Sequence, residues 1–390
     1  FTTIFYYNTR IDILMESIDK FYCPLPFKHL FVAPNGIKPC CSFSGTYEGT
    51  IEEHLSSALL KSIQKSILNG IVPTGCKACY DGESTTNHST RLIALDDYNN
   101  ERYEQTDIDY IDLRSSNLCN LKCRTCNPLF SSRIQSELNK NHDALSEYYS
   151  YDASSTLIHT TNSNFEYIKN HLSNINRLNL TGGEPTFMPE VKDMLQVCFD
   201  QQFTGNILMT SNLNFTDDFW FDLTKRLGEQ IHWTISIDAI GKNAEIIRSG
   251  SSWTLMDQNI HKLTQLSNSI EYNITISSLN TMYINELLLY INDIKNKYQH
   301  IPNGQTIRLS PCWEPDYLQV RNIPLELKNK IITELEQTLT SHMLHNDIAN
   351  SINEIIAVLS QFNADVNLWD KCVTYNTILN GIRKEDFTID

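Results

Sequence analysis

No uninterrupted apolar run in this 390-residue chain approaches the roughly 20 residues that a membrane helix needs, so no membrane-spanning helix is expected. Basic runs are missing too. Against 46 Asp and Glu stand 31 Lys and Arg, a formal charge of -15, which repels nucleic acid and anionic membranes at long range. Neither repeats nor low-complexity segments occur, and 41% hydrophobic with 10% aromatic residues excludes a disordered chain. The opening stretch, FTTIFYYNTRIDILMESIDK, mixes Arg10, Asp12, Glu16 and Asp19 into its apolar residues, which is not the pattern of a signal peptide. A cytoplasmic globular protein is the expectation, long enough for two or three domains or for one barrel with appendages.

What the chain does have is cysteine. The count of eleven is odd, and eight lie before residue 130. In a chain this long and without a secretory signal, that favours metal ligation over a disulfide framework. Residues 1–105 form a Cys-rich, Pro-interrupted region: FYCPLPFKHLFVAPNGIKPCCSFSG, a helical stretch from Ile51 to Leu68, then GCKACYDGES. A hairpin, a helix and a loop of this size bury little core unaided, so a metal would staple them.

From about residue 106 apolar strands alternate with amphipathic helices. The strands expected are Asp109 to Ser116, Ile175 to Gly183, Asn206 to Asn212, Ile231 to Asp238, Glu271 to Asn280 and Thr306 to Pro311. Such alternation predicts an α/β domain over 106–320 with a parallel sheet, flat or curled into a partial barrel, and chemistry at the carboxyl ends of its strands. Residues 321–390 read as a helical C-terminal region.

CNLKCRTC, Cys119 to Cys126, follows directly on the first of these strands. Three thiolates from one loop can hold three corners of a 4Fe-4S cube and leave the fourth iron open, whereas zinc would want a fourth protein ligand. The spacing of Cys119, Cys123 and Cys126 resembles the CxxxCxxC signature of radical S-adenosylmethionine (radical SAM) enzymes, whose fold is a partial (β/α)6 TIM-like barrel. The resemblance implies a 4Fe-4S cluster on these three cysteines and S-adenosylmethionine on the open iron, cleaved on reduction to a 5'-deoxyadenosyl radical. The position before the last cysteine, usually aromatic in that family, is Thr125 here. LTGGEP, at the end of the next strand, looks like the family's GGE motif and implies that Gly182, Gly183 and Glu184 meet the cofactor's amino group. Ser211 and Asn212, then Ser236 and Asp238, end the following two strands, where the family places polar contacts to ribose and carboxylate. Arg248 is the candidate partner for the cofactor carboxylate.

Cys23, Cys40, Cys41, Cys76 and Cys79 form a second set. Four sulfurs make a closed site, for iron and sulfide or for zinc. The region resembles the twitch and SPASM auxiliary-cluster modules, displaced to precede the barrel; Cys23, Cys41, Cys76 and Cys79 fit that pattern, with Cys40 the alternate to Cys41. A second 4Fe-4S cluster is implied. Of the other cysteines, Cys198 reads as core, while Cys312 and Cys372 are candidate hydrogen-atom donors, with buried inert thiols as the plainer alternative.

The function implied is hydrogen abstraction from a peptide, giving a cross-link, a thioether or an epimerised residue, with a flavodoxin or ferredoxin as reductant. The alternatives are oxidation or rearrangement of a small molecule such as a sugar alcohol or nucleoside, and a noncatalytic iron-sulfur or zinc protein. Neither a membrane nor nucleic acid is an expected partner.

Overall fold

The computed structural model describes residues 20–86, 89–149, 159–301, 304–361 and 364–389; the opening stretch read for a signal peptide lies outside them. Among the described residues ten strands occur: β1 (His29–Ala33), β2 (Gly36–Lys38), β3 (Tyr110–Arg114), β4 (Lys122–Cys123), β5 (Arg177–Thr181), β6 (Asn206–Ser211), β7 (Ile231–Ser236), β8 (Arg248–Ser249), β9 (Ile270–Ile276) and β10 (Gln305–Pro311). Eight of them make a mainly parallel sheet in the order β10-β9-β7-β6-β5-β3-β1-β2; β4 and β8 form a separate antiparallel pair. All six strands expected from the sequence are present: β3 and β5 are trimmed at both ends, β6, β7 and β9 stop short at their carboxyl ends, and β9 and β10 each begin one residue earlier than expected. The chain is thus mixed α/β, and among the described residues no helix is long and apolar enough to cross a membrane.

Two compact units divide the chain. The first holds residues 1–115, 159–179 and 196–205, and the second holds 116–158, 180–195 and 206–390. Within the first, β1 and β2 form an antiparallel hairpin, and β1 also pairs parallel to β3 through registers such as His29 with Tyr110. The Cys-rich region therefore contributes a strand to the sheet. The helix expected over Ile51 to Leu68 is two helices, Ile51–Ser56 and Ala58–Leu68. Ser57 breaks it because its backbone is extended while its hydroxyl accepts from Leu60 N at 3.1 Å, capping the second helix.

In the second unit β6, β7, β9 and β10 run parallel, with helices such as Trp253–Leu266 and Ile284–Lys297 between them. Strand β9 shows how the faces differ. Ile270, Tyr272, Ile274 and Ile276 are buried, while Glu271, Asn273 and Thr275 alternate with them on a more open face. A parallel sheet covered on both sides would read as a continuous apolar run. One face of this unit is left for polar side chains.

Two buried histidines make the first unit sensitive to acid. His29, on β1, is 3% exposed and its Nδ1 lies 3.0 Å from the Pro39 carbonyl; burial pulls its pKa from 6.5 to about 4. His54 is fully buried, its ring nitrogens have no hydrogen-bond partner among the described residues, and burial likewise pulls it to about 4. The folded unit holds both neutral, whereas the unfolded chain takes up protons first, so the stability present above pH 6.5 is lost as pH falls from about 6.5 to about 4. For His29 alone the loss is on the order of 3 kcal/mol. Urea unfolding at pH 7 and pH 4.5 checks this: the midpoint should drop markedly at the lower pH, and an unchanged midpoint contradicts the assignment of neutral imidazoles.

Candidate active site

The cysteine loop of the second unit is held from several sides before any ligand is considered. Cys123 lies on β4, where it pairs with Arg248 of β8, and Lys122 pairs with Ser249. Arg124 N donates to the Ile247 carbonyl at 2.8 Å, and Cys126 N closes a turn onto the Cys123 carbonyl at 3.1 Å. Ser131 caps the helix Ser132–Lys140 through Ile134 N and donates its own hydroxyl to the Leu121 carbonyl at 2.7 Å. Leu121 N in turn points at Cys119 Sγ, 3.4 Å away.

The glycine turn after β5 is sewn to this loop through backbone. Gly183 N donates to the Ser116 carbonyl and Glu184 N to the Leu118 carbonyl, each at 2.8 Å. So close is the approach that a Cβ on Gly183 would sit 2.2 Å from the Leu118 carbonyl oxygen. Gly182 has φ +137°, a conformation that side chains resist. Two motifs separated by some sixty residues of sequence thus become one backbone platform.

Glu184, which borders the cavity, is also held from several sides. It is 2% exposed, and its carboxylate accepts from Thr186 N at 3.2 Å, Thr186 Oγ1 at 2.6 Å, Ser211 Oγ at 2.8 Å and Asn212 N at 2.8 Å. These bonds strap the end of β6 to the glycine turn. Burial holds its pKa above the usual carboxylate range, the donors only partly offsetting it. Asn212 continues the strap by donating Nδ2 to Asn120 Oδ1 at 2.8 Å, inside the cysteine loop. Sequence reading passed over Asn120, because an Asn between two cysteines carries no local signal.

All of these parts border one cavity of about 450 Å³. Its wall includes Cys119, Cys123, Cys126, Gly182, Gly183, Glu184, Ser211, Asn212, Ser236 and Arg248. Asp238 stands behind that wall, receiving Arg248 Nη1 at 2.7 Å on Oδ2 and Thr275 N at 2.9 Å on Oδ1. Thr125 also lines the cavity, and the aromatic ring there comes from Phe130 instead. Thr275 and Glu314 also line it and were not singled out in the sequence.

Among the described residues no three His, Cys, Asp or Glu side chains are drawn into a formed metal-holding group. The donor set of the loop nevertheless suits iron and sulfide: three cysteines within eight residues border one cavity, and thiolates are the ligands such clusters take. Burial pushes the Cys119 thiol up to about 12, and those of Cys123 and Cys126 upward as well, so without a bound cation they are neutral thiols. Arg248, which lines the cavity and is bonded to Asp238, keeps one donor unspent among the described residues. Its Nε is buried without a partner, and although burial alone would lower its pKa, Cys123 and Asp238 beside it raise it above the ordinary value.

Cys312 and Cys372 do not border the cavity. Both are buried in the apolar cluster of the second unit, where Cys312 donates to the Glu314 carbonyl at 3.5 Å, and burial pushes each thiol to about 12. Cys198 is fully buried. In the first unit Cys23 and Cys40 lie in one buried cluster with Tyr22, Phe27 and Phe43, and Cys76 packs against it. Burial pushes Cys23 to about 12 and Cys76 to about 11, with repulsion from Cys79 adding to both. Cys41 is exposed, its sulfur 3.9 Å from Ser42 Oγ. Adjacent in sequence, Cys40 and Cys41 have opposite surroundings.

No family model matches the chain, and no curated protein does. Solved structures do match. They include anSMEcpe with bound AdoMet, at 14% identity over 59% of this chain and 60% of that one, TM-score 0.38. Streptococcus suis SuiB bound to S-adenosylmethionine matches at 12% identity over 74% and 61%, TM-score 0.41. The same SuiB bound to precursor peptide SuiA matches at 12% identity over 74% and 61%, TM-score 0.40. The chain therefore spans about 60% of the length of the structures it is similar to. TM-scores below 0.5 are too low to assign a family.

Proposed function

We propose that the chain is a radical SAM enzyme in which Cys119, Cys123 and Cys126 hold a 4Fe-4S cluster with one iron left for S-adenosylmethionine. The observation that supports this best is the single cavity that these cysteines share with the glycine turn, the two joined by backbone hydrogen bonds. When bound and reduced, the centre supplies cleavage of S-adenosylmethionine and a 5'-deoxyadenosyl radical that takes hydrogen from the substrate. The chain's own residues bind and orient. Arg248 offers its unpartnered Nε–H to an anionic group such as the cofactor carboxylate. Gly182, Gly183 and Glu184, which border the cavity together, meet the amino group, Glu184 Oε2 accepting only one bond among the described residues, from Asn212 N. Ser211, Asn212 and Ser236 line the side of the cavity assigned to the ribose, Ser211 and Asn212 being fixed there by their bonds to Glu184 and Asn120, and Phe130 belongs to the same wall.

For the first unit the reading is a second metal site on Cys23, Cys40, Cys76 and Cys79, with Cys41 outside it, because Cys40 shares the buried cluster of Cys23 and Cys76. A second 4Fe-4S cluster is the reading adopted, by the resemblance to auxiliary modules, and zinc is its alternative. The same resemblance supports a peptide as the substrate and a flavodoxin or ferredoxin as the electron donor.

Anaerobic reconstitution followed by iron and sulfide counting, then dithionite with S-adenosylmethionine, tests the whole reading. We expect 5'-deoxyadenosine and about eight irons per chain. About four irons plus one zinc would replace the second cluster by zinc. Iron-loaded protein that forms no 5'-deoxyadenosine under these conditions defeats the assignment.

A further inference from the structure

Arg124 stands between Cys123 and Cys126, and its side chain is 0% exposed. Burying a guanidinium costs several kcal/mol unless its donors are satisfied. Here they are satisfied from the far end of the chain. Nη1 donates to the carbonyl oxygen of Asn376 at 3.3 Å and to its Oδ1, 252 positions away. Nη2 donates to Asn380 Oδ1 at 2.8 Å and to Glu385 Oε2 at 2.5 Å, Nε donates to the Ile246 carbonyl at 3.3 Å, and the guanidinium lies 5.2 Å from the centre of the Phe387 ring. Asn376 and Asn380 are on the helix Val366–Arg383, and each also donates to the Phe387 carbonyl, which folds the tail back over the guanidinium.

The backbone of Arg124 is fixed as well. Its N–H is spent on Ile247, and its carbonyl accepts from Tyr375 Oη at 3.0 Å. The other Glu385 oxygen, Oε1, accepts from Ser249 Oγ at 2.5 Å. A single carboxylate thereby ties the residue following β4 to β8, whose Arg248 faces Cys123. Two residues before Arg124, Lys122 reaches the same helix through Glu137, which it meets at 2.7 Å and which Arg383 meets at 2.6 Å.

A buried ion pair is weak evidence for stability, since well-packed apolar residues often do as well; what such a network does secure is one geometry. We propose that Arg124 is a positioning residue through which the C-terminal helix and tail set the orientation of the Cys123 and Cys126 sulfurs, an inference that rests on the reading that these sulfurs hold an iron-sulfur cluster. The C-terminal region is then part of the cofactor centre. Neither Arg124 nor Glu385 borders the cavity, so each acts only through the cysteines it holds.

The test uses full-length, anaerobically reconstituted protein: wild type, Glu385→Gln and Arg124→Lys. Release of iron to a chelator is followed together with the low-temperature EPR spectrum of the dithionite-reduced state, and thermal unfolding of the metal-free proteins is recorded alongside. Glu385→Gln keeps the shape and the bond to Ser249 but removes the charge opposite Arg124. It should speed iron loss from the loop site about ten- to a hundredfold and change that site's EPR spectrum. Arg124→Lys, which keeps the charge without the fork, should fall between it and wild type. Should Glu385→Gln not fold, Asn380→Ala removes one acceptor from a half-buried position and carries the same expectation. Wild type that takes up no cluster overturns the underlying reading and this inference with it. Wild type that takes one up, with variants that release iron at the wild-type rate and give its spectrum, overturns the positioning role alone.

Discussion

Cys123→Ala should reduce 5'-deoxyadenosine formation to background, a loss beyond the ten- to hundredfold typical of residues that only support metal ligands. Cys123 is the cysteine the fold holds most directly, on β4 against Arg248, with Cys126 N turned onto its carbonyl. None of those backbone bonds involves its sulfur, and no apolar packing is lost with it beyond one thiol. The variant should therefore fold with a thermal midpoint close to wild type while its iron count falls by about four, the contribution of one cube. Quantifying 5'-deoxyadenosine and iron on the same preparation checks both halves. Product that survives the substitution contradicts a three-cysteine cluster, whereas lost iron with retained product would move the chemistry elsewhere.

Gly183→Ala should be nearly as damaging to activity, by a different route. The added methyl would meet the Leu118 carbonyl oxygen at 2.2 Å and the Asn117 carbonyl carbon at 2.8 Å, both backbone atoms that cannot swing aside. Either the glycine turn or the cysteine loop must then move, breaking the bonds from Gly183 N and Glu184 N that join them. A cost of about 4 kcal/mol or more follows, at the severe end for a single substitution. Gly182→Ala supplies the comparison: its difficulty is the left-handed φ of +137°, worth about 1–3 kcal/mol. Urea midpoints of the two variants should rank Gly183→Ala as the less stable, with weaker iron retention. Equal midpoints for Gly183→Ala and wild type would mean the two motifs do not touch as described.

Some of this was readable from residues in order. Alternation of apolar strands with amphipathic helices announced six strands, and all six are there, because strand period and turn chemistry act over a few residues. The cysteine triplet and the glycine turn were visible for the same reason: each is a short stretch whose spacing already states what it can reach. The split of Ile51 to Leu68 at Ser57 was harder, since a serine inside a helical pattern caps as readily as it continues.

Pairings across the chain were not readable. Glu184 reads as a ligand to a cofactor amine; that its carboxylate also accepts four hydrogen bonds from Thr186, Ser211 and Asn212 is not in the motif, because only the packing of β6 beside the turn brings the last two within reach. Arg124 looks like a filler between two cysteines until Asn376, Asn380 and Glu385 arrive from the C-terminus.

The order of amino acids by itself determined which chemistry the chain carries: a loop of three thiols and a glycine turn placed at the ends of neighbouring strands. Tertiary structure decided which groups are spent and which are free. Cys40 went inward and Cys41 outward, Glu184 tied the glycine turn to the end of β6 while bordering the cavity, and Arg248 kept an N–H with no partner among the described residues. The reason is physical: spacing is a property of covalent neighbours, whereas burial and hydrogen-bond satisfaction belong to whatever distant segments the packing brings alongside.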